Sequence, residues 1–243
     1  MTQQVLCALV VGAAASVASA DILTQWDFNS NPPDGATGTG TTVPNVNITA
    51  PAASIALQGG VTNPGFNSGV GSSDPAASDN SGYQTTTYPA QGTASGTAGV
   101  AFSTSTAGWQ DIVVSWDQRF SNTSSRFFEF QYTLDFSEAI PTWVTFGGVQ
   151  ENTLGGDVWL NNNVVDLTGV AGVDNNANFA FRVVSVFSPA TGQYEPSRLP
   201  PASSYAGGTW RFDMVTVRGV AIPTPGSMAL LGLGGLVALR RRR

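Results

Sequence analysis

The chain has 243 residues, of which 42% are hydrophobic and only 11% are charged, and it contains no histidine. Soluble domains usually carry about 25% charged residues, so this chain can form one substantial core but has an unusually neutral surface. All sixteen acidic residues lie between Asp21 and Asp213, whereas four of the ten basic residues are C-terminal arginines. Six arginines against sixteen acids give the body a net charge of about −10. This charge excludes nucleic-acid binding, which needs basic residues that neutralise phosphates.

The first twenty residues have the pattern of a secretory signal peptide. The apolar run VLCALVVGAAASVASA (5–20) predicts a helix and ends in the A-x-A arrangement that signal peptidase accepts. Residues 1–20 are therefore assigned to a signal peptide, with cleavage between Ala20 and Asp21. The one cysteine, Cys7, lies inside this leader, so the mature chain would contain neither cysteine nor histidine. That composition excludes thiol nucleophiles, Ser-His-Asp triads, zinc sites with nitrogen or sulfur ligands, and disulfides.

The first half of the body begins with a strand-like stretch at 21–28 and continues into a long segment of low complexity. Residues 29–101 are rich in Gly, Ser, Thr, Ala and Pro, which predicts long loops with short strands such as 53–58.

The second half of the body alternates clearly between apolar and polar residues. In 111–116 the side chains of Ile112, Val114 and Trp116 share one face, and in 126–136 every second residue from Phe128 to Phe136 is apolar. Aromatic and β-branched runs predict further strands at 142–146, 157–160, 178–187 and 209–218. Many short strands without βα alternation predict that residues 21–221 form one all-β domain, an antiparallel two-sheet β-sandwich of the jelly-roll kind.

The C-terminal tail, residues 222–243, has three features in a fixed order. It starts with a turn-prone segment that interrupts any helix, formed by Pro223, Thr224, Pro225 and Gly226. Residues 228–239 carry no charge and as a helix would reach about 18 Å, which is short of a hydrocarbon core of about 30 Å. The chain ends in a cluster that the positive-inside rule makes a stop-transfer signal, formed by Arg240, Arg241, Arg242 and Arg243.

This order of motif, short hydrophobic helix and arginine cluster resembles the C-terminal sorting signal of PEP-CTERM proteins, with Thr224 where glutamate is usual. The resemblance covers about 20 residues at the end of the chain. It implies that an exosortase-type membrane protease acts on the tail of a bacterial protein held transiently in the inner membrane. The body would then be secreted or transferred to the cell surface. A permanent C-terminal anchor is the alternative interpretation of the same tail.

One loop offers a weak calcium motif. Asp174, Asn176 and Asn178 place oxygen ligands at positions i, i+2 and i+4, as at the start of a calcium loop. Phe179 stands where an EF-hand has its glycine, and no acid follows at position twelve. The sequence therefore leaves two interpretations of this loop, a calcium loop or a polar turn before the next strand. A structural calcium ion elsewhere in a jelly roll also stays open, and the sequence indicates no cofactor besides calcium.

Four carboxylates are close in sequence and raise the question of glycoside hydrolysis: Asp117, Glu129, Asp135 and Glu138. Retaining glycosidases place two carboxyl groups about 5–5.5 Å apart, and inverting enzymes place them about 6.5–9.5 Å apart. Glu129 and Asp135 would share a strand face at a separation of roughly 20 Å, which fits neither class. A pairing of Asp117 with Glu129 across two strands stays open.

Aromatic residues raise a binding interpretation. If two tryptophans were exposed on one face, they could stack on sugar rings; the candidates are Trp109, Trp143, Trp159 and Trp210. Tryptophans in sandwich strands more often belong to the core.

The sequence as a whole favours a structural or adhesive protein of the cell surface or extracellular matrix that is not an enzyme. Its expected partners are signal peptidase, an exosortase-type protease and an exopolysaccharide, with the membrane contacted through the tail before cleavage. A carbohydrate-binding module that acts on surface polysaccharide is the alternative function, and a carboxylate-dependent glycosidase is the third.

Overall fold

The computed structural model describes residues 19–199 and 204–223, and within these ranges it contains twelve β-strands and no helix. The strands are β1 (Asp21–Trp26), β2 (Val46–Asn47), β3 (Ser54–Gln58), β4 (Thr62–Ser68), β5 (Ser81–Thr86), β6 (Gly99–Ser103), β7 (Trp109–Phe120), β8 (Phe127–Thr133), β9 (Val144–Glu151), β10 (Trp159–Asp166), β11 (Ala180–Ser185) and β12 (Trp210–Ala221). The helices predicted for the signal peptide and for the hydrophobic tail lie outside the described residues.

The strands form two antiparallel sheets. A seven-stranded sheet has the order β10-β7-β12-β1-β2, with β5 and then β4 continuing from the first half of β12. A five-stranded sheet has the order β3-β6-β11-β8-β9. The prediction of an all-β, antiparallel two-sheet sandwich is therefore confirmed.

The core lies between the two sheets and is built from the alternating strands. Ile112, Val114 and Trp116 of β7 are buried, as the alternation predicts. The Trp116 ring stacks on Phe130 of the opposite sheet at 5.8 Å and meets Phe128 edge-on at 6.5 Å. Full burial of each such side chain contributes roughly 1.5–3 kcal/mol, so these aromatic contacts join the two sheets.

Two local features differ from the predicted pattern. Strand β8 ends at Thr133, so the predicted alternation stops before Phe136, which contacts Trp143 in a neighbouring loop. The segment 29–101, predicted as long loops with short strands such as 53–58, contains β3 at that position and in addition β2, β4, β5 and the start of β6. Its strands bury hydroxyl groups; Thr85, for example, is fully buried and bonds the carbonyl oxygen of Trp210 at 3.2 Å.

The first and last strands of the sandwich lie side by side. Asp21 begins β1 and pairs with Gly219 near the end of β12, while Ala20 and Pro223 are exposed. The rest of the predicted sorting signal lies outside the described residues: Thr224, Pro225, Gly226, Arg240, Arg241, Arg242 and Arg243. In the described part of the chain, no helix has the length and hydropathy needed to cross a membrane.

Candidate functional site

The outer face of the five-stranded sheet carries an arginine at its centre. Phe181 and Val183 of β11 point into the core, so Arg182 between them projects from the opposite side of the sheet. Its register partners are Ala101 of β6 and Gln131 of β8. We call the surface formed by Arg182, Gln131, Glu129, Thr145 and Trp143 the Arg182 face.

The guanidinium group of Arg182 is held by neutral groups. Nε donates to Oε1 of Gln131 at 2.8 Å, and the terminal nitrogens donate to Gln58 at 3.5 Å and to the carbonyl oxygen of Gly96 at 3.4 Å. The guanidinium carbon lies 4.3 Å from the centre of the Trp143 ring, a cation–π distance. Burial lowers the pKa of Arg182 to about 10, and no salt bridge in the described ranges involves it. A half-buried positive charge therefore lacks a carboxylate partner.

A polar network continues from Arg182 towards the sheet edge. Nε2 of Gln131 donates to Oε2 of Glu129 at 3.1 Å and to the hydroxyl of Thr145 at 3.2 Å. The Thr145 hydroxyl in turn donates to Glu129 at 3.1 Å. Because these groups fix one another, they present donors and acceptors in defined positions at a surface that is still accessible to water at Thr145.

An aromatic pair extends the Arg182 face in the other direction. The rings of Trp143 and Phe136 meet edge-on at 6.1 Å, and both side chains are half-buried. Phe136 also lines a cavity of about 210 Å³ together with Ser103 and Asn178. The arginine, the indole, the phenyl ring and the cavity therefore follow one another along this surface.

The four tryptophans proposed from the sequence lie in different environments. Trp210 is fully buried and Trp159 is 7% exposed, with its indole N–H donating to the carbonyl oxygen of Val70 at 3.0 Å. Trp109 packs against the core, and Trp143 lies on the Arg182 face. The structure does not bring two of these tryptophans together on an open face, and the aromatic neighbour of Trp143 is Phe136.

The carboxylates proposed for hydrolysis do not converge. Asp117 lies on the seven-stranded sheet and Glu129 on the five-stranded sheet, and both project away from the core, so they stand on opposite sides of the sandwich. Asp135 accepts hydrogen bonds from Thr133 Oγ1 and from the main-chain nitrogen of Thr142, which lower its pKa, and Glu138 is exposed.

A different carboxylate pair, which sequence reasoning missed, lies on the seven-stranded sheet. Asp117 of β7 and Asp213 of β12 are direct register partners, and each is at most 1% exposed. The β4–β5 loop (69–80) covers them: Ser73 N donates to Asp117, and Ser72 Oγ donates to Asp213 at 2.6 Å. Burial, and secondarily the charges of Asp74 and Asp117, raise the pKa of Asp213 to about 8. The signal in the sequence was an aspartate inside the apolar alternation of RFDMV. Because the loop covers both carboxylates, substrate cannot reach them.

The predicted calcium motif forms a hydrogen-bonded turn. Oδ1 of Asn176 accepts from the main-chain nitrogen of Asn178 at 2.7 Å, and its Nδ2 donates to the carbonyl oxygens of Gly172 and Leu134. Asp174 lies in the same turn. Within residues 19–199 and 204–223, no three acidic, histidine or cysteine side chains are close enough to share a metal ion. Calcium at this turn stays a prediction.

Comparisons with known proteins give weak structural similarity only. No family model and no curated protein sequence matches the chain. The CBM22-1 xylan-binding domain of Paenibacillus barcinonensis Xyn10C is similar with a TM-score of 0.47 and 12% identity, covering 86% of this chain and 100% of that domain. The CBM22-1–GH10 modules of Clostridium thermocellum Xyn10B, complexed with xylohexaose, have a TM-score of 0.41 and 10% identity, covering 67% of this chain and 25% of theirs. No conclusion about the ligand of this chain follows from scores this low.

Proposed function

We propose that the jelly-roll-like sandwich is an exported, non-catalytic carbohydrate-binding module that binds a polysaccharide across the Arg182 face. The proposal rests on one observation: the half-buried guanidinium of Arg182 lies 4.3 Å over the Trp143 ring and has only neutral hydrogen-bond acceptors. This places the alternative function of the sequence analysis ahead of a purely structural role. Adhesion would then be a consequence of glycan binding.

The chemistry of the Arg182 face suits a sugar. A pyranose ring has an apolar C–H face, which packs on an indole or phenyl ring, and a rim of hydroxyl groups, which need donors and acceptors. Trp143 and Phe136 supply the aromatic surfaces, while Arg182, Glu129 and Thr145 supply the polar groups. A neutral glycan fits better than a polyanionic one, because the body carries a net charge of about −10.

Binding is favoured over hydrolysis by the placement of the acids. Asp117 and Glu129 lie on the outer faces of different sheets, and Asp135 is held by Thr133 and the main chain of Thr142 beyond the end of β8. The buried Asp117–Asp213 pair is closed off by the β4–β5 loop.

Affinity electrophoresis of the exported protein in gels containing soluble polysaccharides tests the proposal. The panel includes xylan, because the structurally similar CBM22-1 domain is a xylan-binding domain, together with neutral β-glucans and mannans. We expect at least one polysaccharide to retard the protein, and Trp143→Ala to abolish the retardation. Ile140→Ala is the matched control, because Ile140 is 87% exposed on the same loop and lacks a ring. Migration unaffected by every polysaccharide would contradict the proposal.

We also propose that residues 222–243 act as a PEP-CTERM-like sorting signal that an exosortase-type protease removes. The pairing of Asp21 with Gly219 supports this arrangement, because both processing sites would then lie at one end of the sandwich. Intact mass spectrometry of the protein from its native host tests it. A body that begins at Asp21 and lacks the segment after Pro223 is expected, whereas a membrane-bound form retaining Arg240–Arg243 would identify a permanent anchor.

A further inference from the structure

Two residues of neighbouring strands on the Arg182 face carry groups that can react with each other. Thr145 of β9 and Gln131 of β8 are direct register partners, and such side chains share one side of the sheet with Cβ atoms about 4.5–5.5 Å apart. The Thr145 hydroxyl lies 3.2 Å from Nε2 of the Gln131 amide. A hydroxyl beside a carboxamide is the pair of reactants from which an ester and ammonia can form.

Glu129 is placed as the base for such a reaction. It lies two positions before Gln131 on β8, so its side chain projects from the same side of the sheet. Its Oε2 accepts from the Thr145 hydroxyl and from Nε2 of Gln131, both at 3.1 Å. One carboxylate oxygen therefore contacts the hydroxyl that must lose a proton and the nitrogen that must gain one in order to leave.

A glycine bulge leaves room for this carboxylate. Strand β9 bulges opposite Glu129, where the register of the two strands shifts. The bulge contains Gly147 and Gly148, with φ values of 77° and 73° that glycine adopts readily. Neither glycine carries a side chain that could separate Glu129 from Thr145.

Arg182 supplies the remaining group, a donor for the carbonyl oxygen. Its Nε donates to Oε1 of Gln131 at 2.8 Å, which fixes the amide with its nitrogen towards Thr145 and Glu129. Such a donor stabilises the negative charge that develops on a carbonyl oxygen during nucleophilic attack, and more strongly where water is excluded. Gln131 is only 7% exposed, whereas Thr145 lies at the surface, where ammonia can leave.

We propose that Thr145 and Gln131 form an intramolecular ester that cross-links β8 and β9. Glu129 takes the hydroxyl proton while Oγ1 of Thr145 attacks Cδ of Gln131, and the carbonyl electrons move to Oε1, beside Nε of Arg182. The Cδ–Nε2 bond then breaks, Glu129 passes the proton to Nε2, and ammonia leaves. The carbonyl group re-forms as an ester and Glu129 is a carboxylate again, so the step consumes no oxidant or cofactor.

The cross-link would fasten an edge of the five-stranded sheet. Among the described strands, β9 pairs with β8 alone, so hydrogen bonds on one side hold it in place. The sequence contains a single cysteine, Cys7, so no disulfide within the chain can take this role. The reaction needs no bound glycan and leaves the Trp143 ring and the guanidinium of Arg182 open. The inference therefore goes beyond the proposed function and does not depend on it.

Intact mass spectrometry of the mature exported protein tests the step. A hydroxyl and an amide react slowly even beside a base, so freshly purified protein is mainly the reactant and is followed during incubation at neutral pH. We expect each chain to lose about 17 Da, the mass of one ammonia molecule. A mass that stays constant through prolonged incubation, with no lighter fraction in the fresh sample, would overturn the proposal.

Proteolysis locates the bond. A protease that cleaves after glutamate yields the fragment 130–138, which contains Gln131, and the fragment 139–151, which contains Thr145. We expect the two fragments to stay joined, lighter than their sum by one ammonia, and to separate in mild alkali, which cleaves esters. Separate fragments from a chain that has lost ammonia would place the loss elsewhere and overturn the proposal. This measurement uses the wild-type chain and depends on no variant.

Variants then assign the roles. Glu129→Gln keeps the size of the side chain but removes the base, so the loss of ammonia should slow by about 100-fold. Thr145→Ser keeps a nucleophile and should still lose ammonia, whereas Thr145→Val should not. Gln150→Glu is the matched control, because it removes another amide near this edge, in β9, and should leave the loss unchanged. Loss at the wild-type rate in Glu129→Gln or in Thr145→Val would contradict the proposed reaction.

Discussion

The outer faces of the two sheets carry charge in opposite ways. On the seven-stranded sheet, Asp117 and Asp213 are sealed beneath the β4–β5 loop, whose Ser72 and Ser73 donate to them. On the five-stranded sheet, Arg182 is only half-buried and shares its surface with Trp143 and a polar network that reaches solvent. The carboxylates on the seven-stranded sheet therefore serve the fold, whereas the guanidinium on the five-stranded sheet is open to a ligand.

The largest difference between the two faces should appear in stability. The main-chain N–H groups of Ser73 and Asn162 both donate to Asp117. Asp117→Ala removes their acceptor and leaves the two buried N–H groups without a hydrogen bond. We expect the free energy of unfolding to fall by about 3 kcal/mol. Glu129→Ala, on the open face, should lower it by only about 0.5 kcal/mol. Urea denaturation of both variants measures this, and equal losses would mean that the two faces do not differ in this way.

Glycan binding should depend on the Arg182 face and not on the seven-stranded sheet. Trp143→Ala removes the aromatic surface of the Arg182 face, and stacking of this kind is worth about 1–2 kcal/mol, so affinity should fall by roughly tenfold or more. Titration of the preferred oligosaccharide by calorimetry measures the change. Ile140→Ala should bind as the wild type does. A variant of Trp143 with unaltered affinity would remove the binding role from this face.

The charge of Arg182 should contribute less than the indole ring. Arg182→Gln keeps a hydrogen-bonding side chain but removes the guanidinium that lies over Trp143, and we expect affinity to fall by about fivefold. Arg218→Gln is the matched control, because Arg218 is exposed on the seven-stranded sheet. The same calorimetric titration applies, and an equal effect of both variants would point to general electrostatics.

Asp213, one of the two covered acids, should also make the stability of the fold depend on pH. Burial raises the pKa of Asp213 from 3.8 to about 8, so between these values the folded chain holds a proton that the unfolded chain has released. Stability from this group is therefore full below about pH 4 and is lost as the pH rises to 8. Three pH units at about 1.4 kcal/mol each give a loss of about 4 kcal/mol, so we expect Tm to be on the order of 10 °C higher at pH 5 than at pH 8.

Two variants assign that pH dependence. Asp213→Asn should flatten the decline in Tm, whereas Glu138→Gln, at an exposed position, should leave it intact. A decline that persists unchanged in Asp213→Asn would assign the dependence to another group.

The sequence predicted the strands that bury apolar side chains and missed those that bury polar ones. Alternation in DIVVSW identified β7, because period-two hydrophobicity reports a half-buried strand directly, and the aromatic and β-branched residues of NFAFRVVSVF identified β11. In β5 the buried faces include Ser81 and Thr85, whose hydroxyls are satisfied by carbonyl oxygens distant in sequence, so no local pattern marks the strand.

The candidate site was predictable only in part, for a similar reason. The sequence offered four tryptophans, Trp143 among them, and could not show which of them is exposed to solvent. Exposure depends on where each strand ends. Arg182 lies within a predicted strand, but its contact with Trp143 joins residues that are 39 positions apart.

Binding of glycans across the Arg182 face can be observed residue by residue by NMR. The chain has six tryptophans, and Trp143 lies on this face, while Trp26, Trp116 and Trp210 are fully buried. During titration with the preferred oligosaccharide, we expect large chemical-shift changes for the indole N–H of Trp143 and the Nε–H of Arg182. The chemical shifts of the buried indoles should not change. Shifts confined to other residues, with Trp143 and Arg182 unperturbed, would contradict binding across this face.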